Sequence, residues 1–262
     1  MPTILVINDD GINSIGLFAL AKKLEKLGEV IVVTPESERS GIGKALSIGQ
    51  VNITETNFGD GKRAYTISGT PADSFLIAVN KILRRMPDLL VSGINIGPNL
   101  GIDDVLTSGT VGAAFEAAIH KVPAIAVSYC LSEITVRMPE KTKVSVKDLK
   151  LASTIAHKAA KHVLEHGMPP DVDVISINVP ENSDSTNVKL TSLCYDGYGD
   201  IHTASKGGYR IKSWTLRHYP DGDSGTDLHA IKTGNCISVT PIKVEFLHNK
   251  KAMKDLLDSL SA

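Results

Sequence analysis

The stretch TILVINDDG, residues 3–11, decides the fold. Residues 3–8 form a continuous apolar run. A strand with one face in water would alternate apolar and polar residues, so this run predicts a strand buried on both faces. Ser14–Gly28 follows with leucines at helical spacing, and Val30–Pro35 is a second continuous apolar strand. Two such strands joined by a helix indicate a parallel sheet covered on both faces. We therefore predict a doubly wound α/β fold.

The same order of elements continues along the chain. Alternating segments at Ser47–Thr54 and Ala64–Ser68 suggest a hairpin around Gly59–Gly61. Thr70 is the expected N-cap of a helix that begins at Pro71. Further buried strands are predicted at Asp88–Asn95, Ala124–Cys130 and Asp173–Pro180. One long helix is predicted at Val146–Gly167.

The pattern changes beyond Pro180. Tyr209–Leu216 and His229–Ile242 alternate like exposed antiparallel strands, and residues 245–262 contain a short amphipathic helix. We expect residues 1–185 to form the core, and residues 186–262 to be a β-hairpin and helix extension of the same domain that serves oligomerisation. This extension is too short and too sparingly apolar to hold a core alone.

Composition limits the classes of function. The 28 lysines and arginines nearly balance the 29 aspartates and glutamates, so there is no basic field for a nucleic-acid partner. The 3 cysteines have no CxxC spacing, which predicts neither a disulfide framework nor a thiolate zinc site. No apolar run is long enough to span a bilayer, and the first residues do not resemble a signal peptide. We expect a cytoplasmic protein without a membrane partner.

Polar side chains follow several predicted strands at the point where each strand ends. Asp9 and Asp10 follow the first strand, and Thr34–Ser40 and Ser92–Asn95 close two others. In open α/β sheets ligands bind at this edge. These residues offer oxygen donors and no histidine or cysteine, and oxygen ligands select hard cations such as Mg²⁺, Mn²⁺ or Ca²⁺. The alternative for Asp9 and Asp10 is a turn in which one carboxylate is solvated.

The segment SGINIGPNLGIDDVLTSGT, residues 92–110, is a candidate binding loop. Its glycines permit backbone to wrap closely around a ligand, and Ser108–Thr110 begins a helix whose free N–H groups favour an anion. Ser108 as a simple N-cap is the alternative. Neither a dinucleotide fingerprint nor a Walker loop is present. ERSGIGK, residues 38–44, is a second candidate, with a mobile surface loop as its alternative.

These residues resemble a known family. The blocks ILVINDDGINSIGL, VVTPESERSG, SGTPADS, DLLVSGINIGPNLG, SGTVGAAFEAA and ISVTPI are similar to those of the SurE survival-protein family, in that family's order and spacing. Members of this family are metal-dependent nucleoside monophosphate phosphatases. The resemblance covers essentially the whole chain and is densest up to Ala118. It implies a Rossmann-like core and a C-terminal extension exchanged between subunits of a homodimer or homotetramer.

The resemblance also implies a site. It assigns one divalent ion per subunit, Mg²⁺ or Mn²⁺, to Asp9, Asp10, Ser40 and Asn95, with Asp9, Asp10 and Asn95 also catalytic. Contacts to phosphate or the rest of the substrate are then expected from Asn8, Gly41, Lys44, Asn99, Ser108, Gly109 and Thr110. The implied reaction is release of phosphate from nucleoside 5′-monophosphates, and also from 3′-nucleotides, by a metal-held water. One departure is the run Ile42–Ala45, where the family commonly has small hydroxyl or amide residues.

Other classes remain as alternatives. A magnesium-dependent phospho-switch of the receiver type also has an acidic pair after its first strand, but it needs a phosphorylatable aspartate after its third strand and ends near half this length. A haloacid-dehalogenase-type phosphatase uses a DxD pattern, whereas Asp9 and Asp10 are adjacent. A non-catalytic nucleotide-binding oligomer is the third alternative. Turnover of a nucleotide with added metal separates an enzyme from the rest.

Overall fold

The computed structural model describes residues 1–59, 61–131, 144–181, 183, 187–195, 197–211, 224–245 and 253–261. Its strands are β1 (Thr3–Ile7), β2 (Glu29–Pro35), β3 (Ile53–Phe58), β4 (Lys62–Ile67), β5 (Leu89–Ile96), β6 (Ala124–Cys130), β7 (Val174–Pro180), β8 (Val188–Leu190), β9 (His202–Ser205), β10 (Gly208–Ile211) and β11 (Ile237–Ile242). Its helices are α1 (Ile15–Leu24), α2 (Pro71–Ile77), α3 (Gly101–Thr107), α4 (Gly109–Ile119), α5 (Lys150–His166), α6 (Asp227–Lys232) and α7 (Lys254–Leu260). A π-helical turn, Ala78–Ile82, continues α2.

The main sheet has nine strands within these described residues, in the order β3-β4-β2-β1-β5-β6-β7-β11-β8. Strands β4, β2, β1, β5, β6 and β7 are parallel to one another, and β3 closes one side as the antiparallel partner of β4. The predicted hairpin around Gly59–Gly61 is therefore present, but its first strand is Ile53–Phe58 and not the expected Ser47–Thr54. The predicted doubly wound α/β fold is confirmed.

Each face of the sheet has its own hydrophobic core. Ile4 and Val6 of β1 pack on the side of α1 and α5, whereas Leu5 and Ile7 pack on the side of α2 and α4. Because successive side chains of a strand point to opposite faces, β1 must be apolar along its whole length to serve both cores. The strand is fully buried, as its sequence predicts.

The strand order reverses at β1. The chain runs from β1 to β2 and β4 on one side, and then returns to place β5 on the other side of β1. Helices on opposite faces diverge at such a point and leave a crevice at the carboxyl ends of the two strands. The residues after β1 and β5 therefore lie at the edge where this fold binds ligands.

The C-terminal segment differs from the sequence prediction. His229–Ile242 was expected as one exposed strand, but its first part belongs to α6, which begins at the N-cap Thr226. Its second part is β11, which is largely buried and pairs antiparallel with β7 inside the main sheet. The Thr226 hydroxyl caps α6, and the burial of Ile237 stabilises β11 in the sheet. These contributions outweigh the preference of the alternating pattern for one exposed strand. Of the expected strand Tyr209–Leu216, residues 212–216 lie outside the described residues.

Helix α3 is a second difference. Gly101–Thr107 was expected to be part of a glycine-rich loop, but it forms seven residues of helix directly before α4. Val105 is buried against the core, and Asp103 and Asp104 occupy the first turn, where carboxylates favour a helix. Within the described residues, no helix is long and apolar enough to cross a membrane.

Candidate active site

Asp9 lies where three segments of the chain meet. It follows β1 and is 4 % exposed, and its Oδ1 atom accepts a hydrogen bond of 2.6 Å from the hydroxyl of Thr110 in the first turn of α4. Its backbone oxygen accepts from the N–H of Arg39, at 2.7 Å, in the loop after β2. A Cβ on Gly109 would come within 2.8 Å of the Asp9 Cβ. The missing side chain therefore allows the helix start to approach the carboxylate.

The turn after Asp9 is fixed by local hydrogen bonds. The Ser14 hydroxyl donates to Asp10 Oδ2 at 3.4 Å and also caps α1. Gly11 has φ +90°, in the left-handed region that favours glycine, which turns the chain away after the second carboxylate. The Asn8 side chain donates to Gly11 O at 3.1 Å and accepts from the Thr34 hydroxyl. These two hydrogen bonds of the buried Asn8 side chain thus stabilise the turn.

Asn95 lies in the last part of β5, next to β1 in the sheet. Its side-chain nitrogen donates to Gly97 O at 2.9 Å, so the amide oxygen is the end that could ligate a cation. The pairing of β5 with β6 shifts between Ser92 and Asn95, which changes the direction in which the end of β5 presents its side chains. Gly93 and Gly97 both have φ near +130°, as the sequence suggested for a closely wrapped backbone.

The loop after β2 carries Ser40 and Lys44. The Ser40 hydroxyl donates to Glu38 Oε1 at 2.6 Å, and the side chain is exposed. Gly41 has φ +72° in the same loop. Lys44 does not point to Asp9 or Asp10, because its ammonium pairs with the carboxylate of Glu116 on α4.

The remaining expected substrate residues divide into two groups. Ser108 caps α4 by accepting from Val111 N at 3.1 Å, and Gly109 and Thr110 stand directly beside Asp9. Asn99 is engaged elsewhere: its side chain donates to Ser128 Oγ at 2.7 Å, and its N–H donates to Asn178 Oδ1 at 3.0 Å. The structure thus brings Asp9, Gly109 and Thr110 into contact and ties Asn99 to the ends of β6 and β7.

The donor set at this edge suits a hard cation. Asp9 and Asp10 supply two adjacent carboxylates after β1, Asn95 lies near the end of β5, and Ser40 lies in the loop after β2; β2 and β5 are the two neighbours of β1. In the part of the chain that the structure describes, no group of three or more histidine, cysteine, aspartate or glutamate residues could hold a metal ion. Carboxylates and neutral oxygens are the ligand types that hard cations prefer.

Sequence reasoning missed a buried acidic network beside the glycine-rich segment. Asp227 accepts hydrogen bonds from the N–H groups of Gly101 at 2.7 Å and Cys194 at 2.9 Å, and burial raises the pKa of its carboxyl. Asp104 accepts from the Tyr198 hydroxyl at 2.7 Å, and burial raises the pKa of Asp104 to about 6. The adjacent Asp103 and Asp104 in the sequence GIDDV are the feature that could have indicated this network. This network ties the C-terminal segment to the start of α3.

Comparison with known proteins agrees with this architecture. The family model described as "Survival protein SurE" matches residues 4–200. The crystal structure of the SurE protein from Aquifex aeolicus superposes with a TM-score of 0.76 at 29% sequence identity, and the match covers 100% of both chains.

Curated relatives are similar over most of their length. A protein named 5′-nucleotidase SurE from Methanothrix thermoacetophila is 39% identical over 254 residues, which is 94% of this chain and 94% of the relative. The protein of the same name from Methanosarcina acetivorans is 36% identical over 248 residues, 93% of this chain and 92% of the relative. By the extent of these matches and by its fold, the chain belongs to the SurE survival-protein family.

Proposed function

We propose that this chain is a 5′-nucleotidase, which hydrolyses nucleoside 5′-monophosphates to a nucleoside and phosphate. The name of its relatives supports this reaction. The observation that carries the proposal is the buried Asp9 carboxylate, held by Thr110 from the first turn of α4, at the point where the strand order reverses. A phosphomonoesterase needs a carboxylate that can bind a cation and an array of donors for the phosphate, and the contact of Asp9 with the start of α4 supports these two roles.

One divalent ion per subunit, Mg²⁺ or Mn²⁺, is the proposed cofactor, with Asp9, Asp10, Ser40 and Asn95 as its ligands. When bound, such an ion offsets the repulsion of the two carboxylates, polarises a phosphoryl oxygen and lowers the pKa of a bound water. The hydrogen bond from Thr110 orients Asp9 before any ligand arrives. The hydrogen bond from the Asn8 side chain to Gly11 O fixes the turn that contains Asp9 and Asp10.

The phosphate is proposed to bind at the start of α4. The first amides of a helix have no partner within it, and here the Val111 N–H is already taken by Ser108 Oγ. The amides of Gly109 and Thr110 are then suited to the phosphate oxygens, where negative charge develops as the ester bond breaks. Asn8, Gly41, Asn99 and the Ser108 hydroxyl are further proposed contacts.

The proposed assembly is a homodimer or homotetramer, in which residues 186–262 reach a neighbouring subunit. Strands β9 and β10 form a separate two-stranded sheet with Tyr209 80 % exposed, and an isolated hairpin of this kind is marginal in water. Helix α7 exposes Leu256, Leu257 and Leu260. Such exposed apolar surface is suited to a subunit contact. The proposed location is the cytoplasm.

Hydrolysis of AMP with added Mn²⁺ tests the proposal. We expect phosphate release that EDTA abolishes, and no release by Asp9→Asn, since the neutral side chain keeps the acceptor for Thr110 but removes the charge. The 3′-isomer of AMP, run in parallel, tests whether 3′-nucleotides are also substrates. Binding of AMP without turnover at any metal concentration would instead support the non-catalytic alternative.

A further inference from the structure

The loop after β2 is docked along one face of α4 by three consecutive residues. Ile42 Cγ2 lies 3.1 Å from the place that a Cβ on Gly109 would occupy. The oxygen of Gly43 lies 2.5 Å from the place of a Cβ on Gly112. Lys44 then pairs with Glu116. The helix positions 109, 112 and 116 lie on one face, because residues three and four apart are neighbours on a helix.

The last of these contacts is an ion pair with a buried carboxylate. Glu116 is 4 % exposed, and its Oε1 atom also lies 3.2 Å from Nε2 of His120 one turn further along α4. A buried carboxylate is costly unless it is paired, so Glu116 holds the Lys44 ammonium against the helix. The Gly43 N–H donates to Thr107 O at 2.7 Å, which fixes the backbone immediately before Lys44.

Ser40 lies between two anchors of this loop. On one side the Arg39 N–H donates to the backbone oxygen of Asp9, and on the other side Gly43 and Lys44 are fixed to Thr107 and Glu116. The Ser40 side chain itself is exposed and bonded to Glu38, so its position depends on the backbone that these anchors hold.

We propose that Lys44 and Glu116 are positioning residues, whose ion pair clamps the loop to α4 and so places Ser40 beside Asp9 for the metal. This inference rests on the proposed function, because it takes Ser40 as a metal ligand. It also gives Lys44 a role other than substrate contact. Since the clamp acts on the metal site, its loss weakens metal binding, while the affinity for nucleotide at saturating metal is retained.

The test compares Lys44→Met, Lys44→Arg, Glu116→Gln and the double variant Lys44→Met/Glu116→Gln with the wild type. The matched control is Lys62→Met. It breaks the ion pair between Lys62 and Glu25, whose charged atoms are 2.5 Å apart, at the amino-terminal end of the parallel strands and so opposite the candidate site. Mn²⁺ binding is measured by calorimetry without nucleotide. Amide hydrogen exchange reports on the Gly43 N–H, and the KM and kcat for AMP are measured at saturating Mn²⁺.

We expect Lys44→Met and Glu116→Gln each to weaken Mn²⁺ binding by about tenfold, the usual scale for losing a group that orients a metal ligand. Both variants accelerate exchange at Gly43, and the double variant loses less than the product of the two single effects, because both remove one interaction. Lys44→Arg keeps the charge and binds Mn²⁺ like the wild type. The control Lys62→Met leaves all three measurements unchanged.

Two results would overturn the inference. A raised KM for AMP in Lys44→Met, with Mn²⁺ binding and Gly43 exchange unchanged, would make Lys44 a substrate contact. Unchanged Mn²⁺ binding in Glu116→Gln, a variant of nearly the same size that leaves no buried charge, would show that the pair positions nothing. A wild type that does not hydrolyse AMP at any metal concentration refutes the proposed function instead, while Mn²⁺ binding and exchange still test the clamp.

Discussion

The two adjacent carboxylates after β1 have different surroundings. Asp9 is buried and bonded to Thr110, at the start of a helix on one face of the sheet. Asp10 is half-buried and bonded to Ser14, at the start of a helix on the other face. Hydrogen bonds from separate hydroxyls offset part of the repulsion between the like charges. The pair is therefore held in place by donors from both helix layers.

The Thr110 hydroxyl gives a prediction at the scale of one residue. Thr110→Val keeps the shape of the side chain but removes the donor to Asp9 Oδ1. We expect the kcat for AMP to fall roughly 10- to 100-fold, the scale of losing a group that orients a metal ligand. Thr110→Ser, which retains the hydroxyl, is the control and should keep most of the activity. Equal kcat values for Thr110→Val and the wild type would exclude a role for this hydrogen bond.

Candidate site residues could be proposed from the sequence where they follow a strand or begin a helix. Asp9, Asp10 and Asn95 end apolar segments, and parallel strands bring such ends to one edge. The partners of these residues could not be predicted, because Thr110 is 101 positions from Asp9 and the contact depends on how α4 packs. The pairing of Lys44 with Glu116 is likewise set by packing and has no local pattern.

At the scale of elements, α4 depends on its glycines. Alanine normally stabilises a helix interior relative to glycine by roughly 1 kcal/mol. Gly112→Ala should do the opposite here, since its Cβ would lie 2.5 Å from the backbone oxygen of Gly43, which cannot move without shifting the loop. We expect a loss of about 1–3 kcal/mol in the free energy of unfolding, as for other overpacked sites. Urea unfolding measures this loss.

The control for this prediction is a glycine with open space around it. A Cβ on Gly49 would meet nothing within 4 Å, so Gly49→Ala should leave the free energy of unfolding unchanged or slightly raised. A stability of Gly112→Ala equal to that of Gly49→Ala would mean that the loop does not lie against α4 as the structure has it.

Helix α3 gives a prediction about pH. Burial raises the pKa of Asp104 from 3.8 to about 6, so between these pH values the folded state binds its proton more tightly than the unfolded chain. The contribution of Asp104 to the free energy of unfolding therefore falls as the pH rises through this window, and it does not fall further above it. Asp104→Asn should remove this part of the pH dependence, because its amide does not titrate.

Urea unfolding of the wild type and Asp104→Asn across this window measures the difference in slope. The asparagine oxygen can still accept from Leu100 N, which donates to Asp104 Oδ2 at 3.1 Å, so the variant retains a partner for the helix start. The wild type should lose stability relative to the variant as the pH rises. Parallel curves for the two proteins would contradict a raised pKa.

The elements themselves were predictable to different degrees. Strands buried on both faces and helices with a polar cap, such as the one at Thr70, follow from local sequence, and the structure has the Thr70 capping box. Helix α3 was missed because it is only seven residues long and lies among glycines that favour a loop. The alternating pattern of His229–Ile242 predicts a strand where α6 lies, although Thr226 and Asp227 are a helix-capping signal before it.

At the scale of the whole molecule, the C-terminal segment completes the sheet. β11 lies between β7 and β8 and shields the edge of β7. Ile237 and Leu228 are buried, and Asp227 ties α6 to the first residue of α3. This part of the expected extension therefore stabilises the core of its own chain, in addition to the subunit contacts proposed for β9, β10 and α7.

Truncation of the chain tests this double role. A protein ending at residue 185 would lack β11 and α6, so β7 would become an edge strand with unpaired backbone groups, and the side chains around Leu100 and Cys130 would lose their cover from Leu228. We expect this protein to aggregate, whereas a protein ending at residue 245 keeps β11 and α6 and should remain folded. Light scattering after gel filtration measures both. A folded, monodisperse and active protein of residues 1–185 would show that the segment beyond it serves subunit contacts alone.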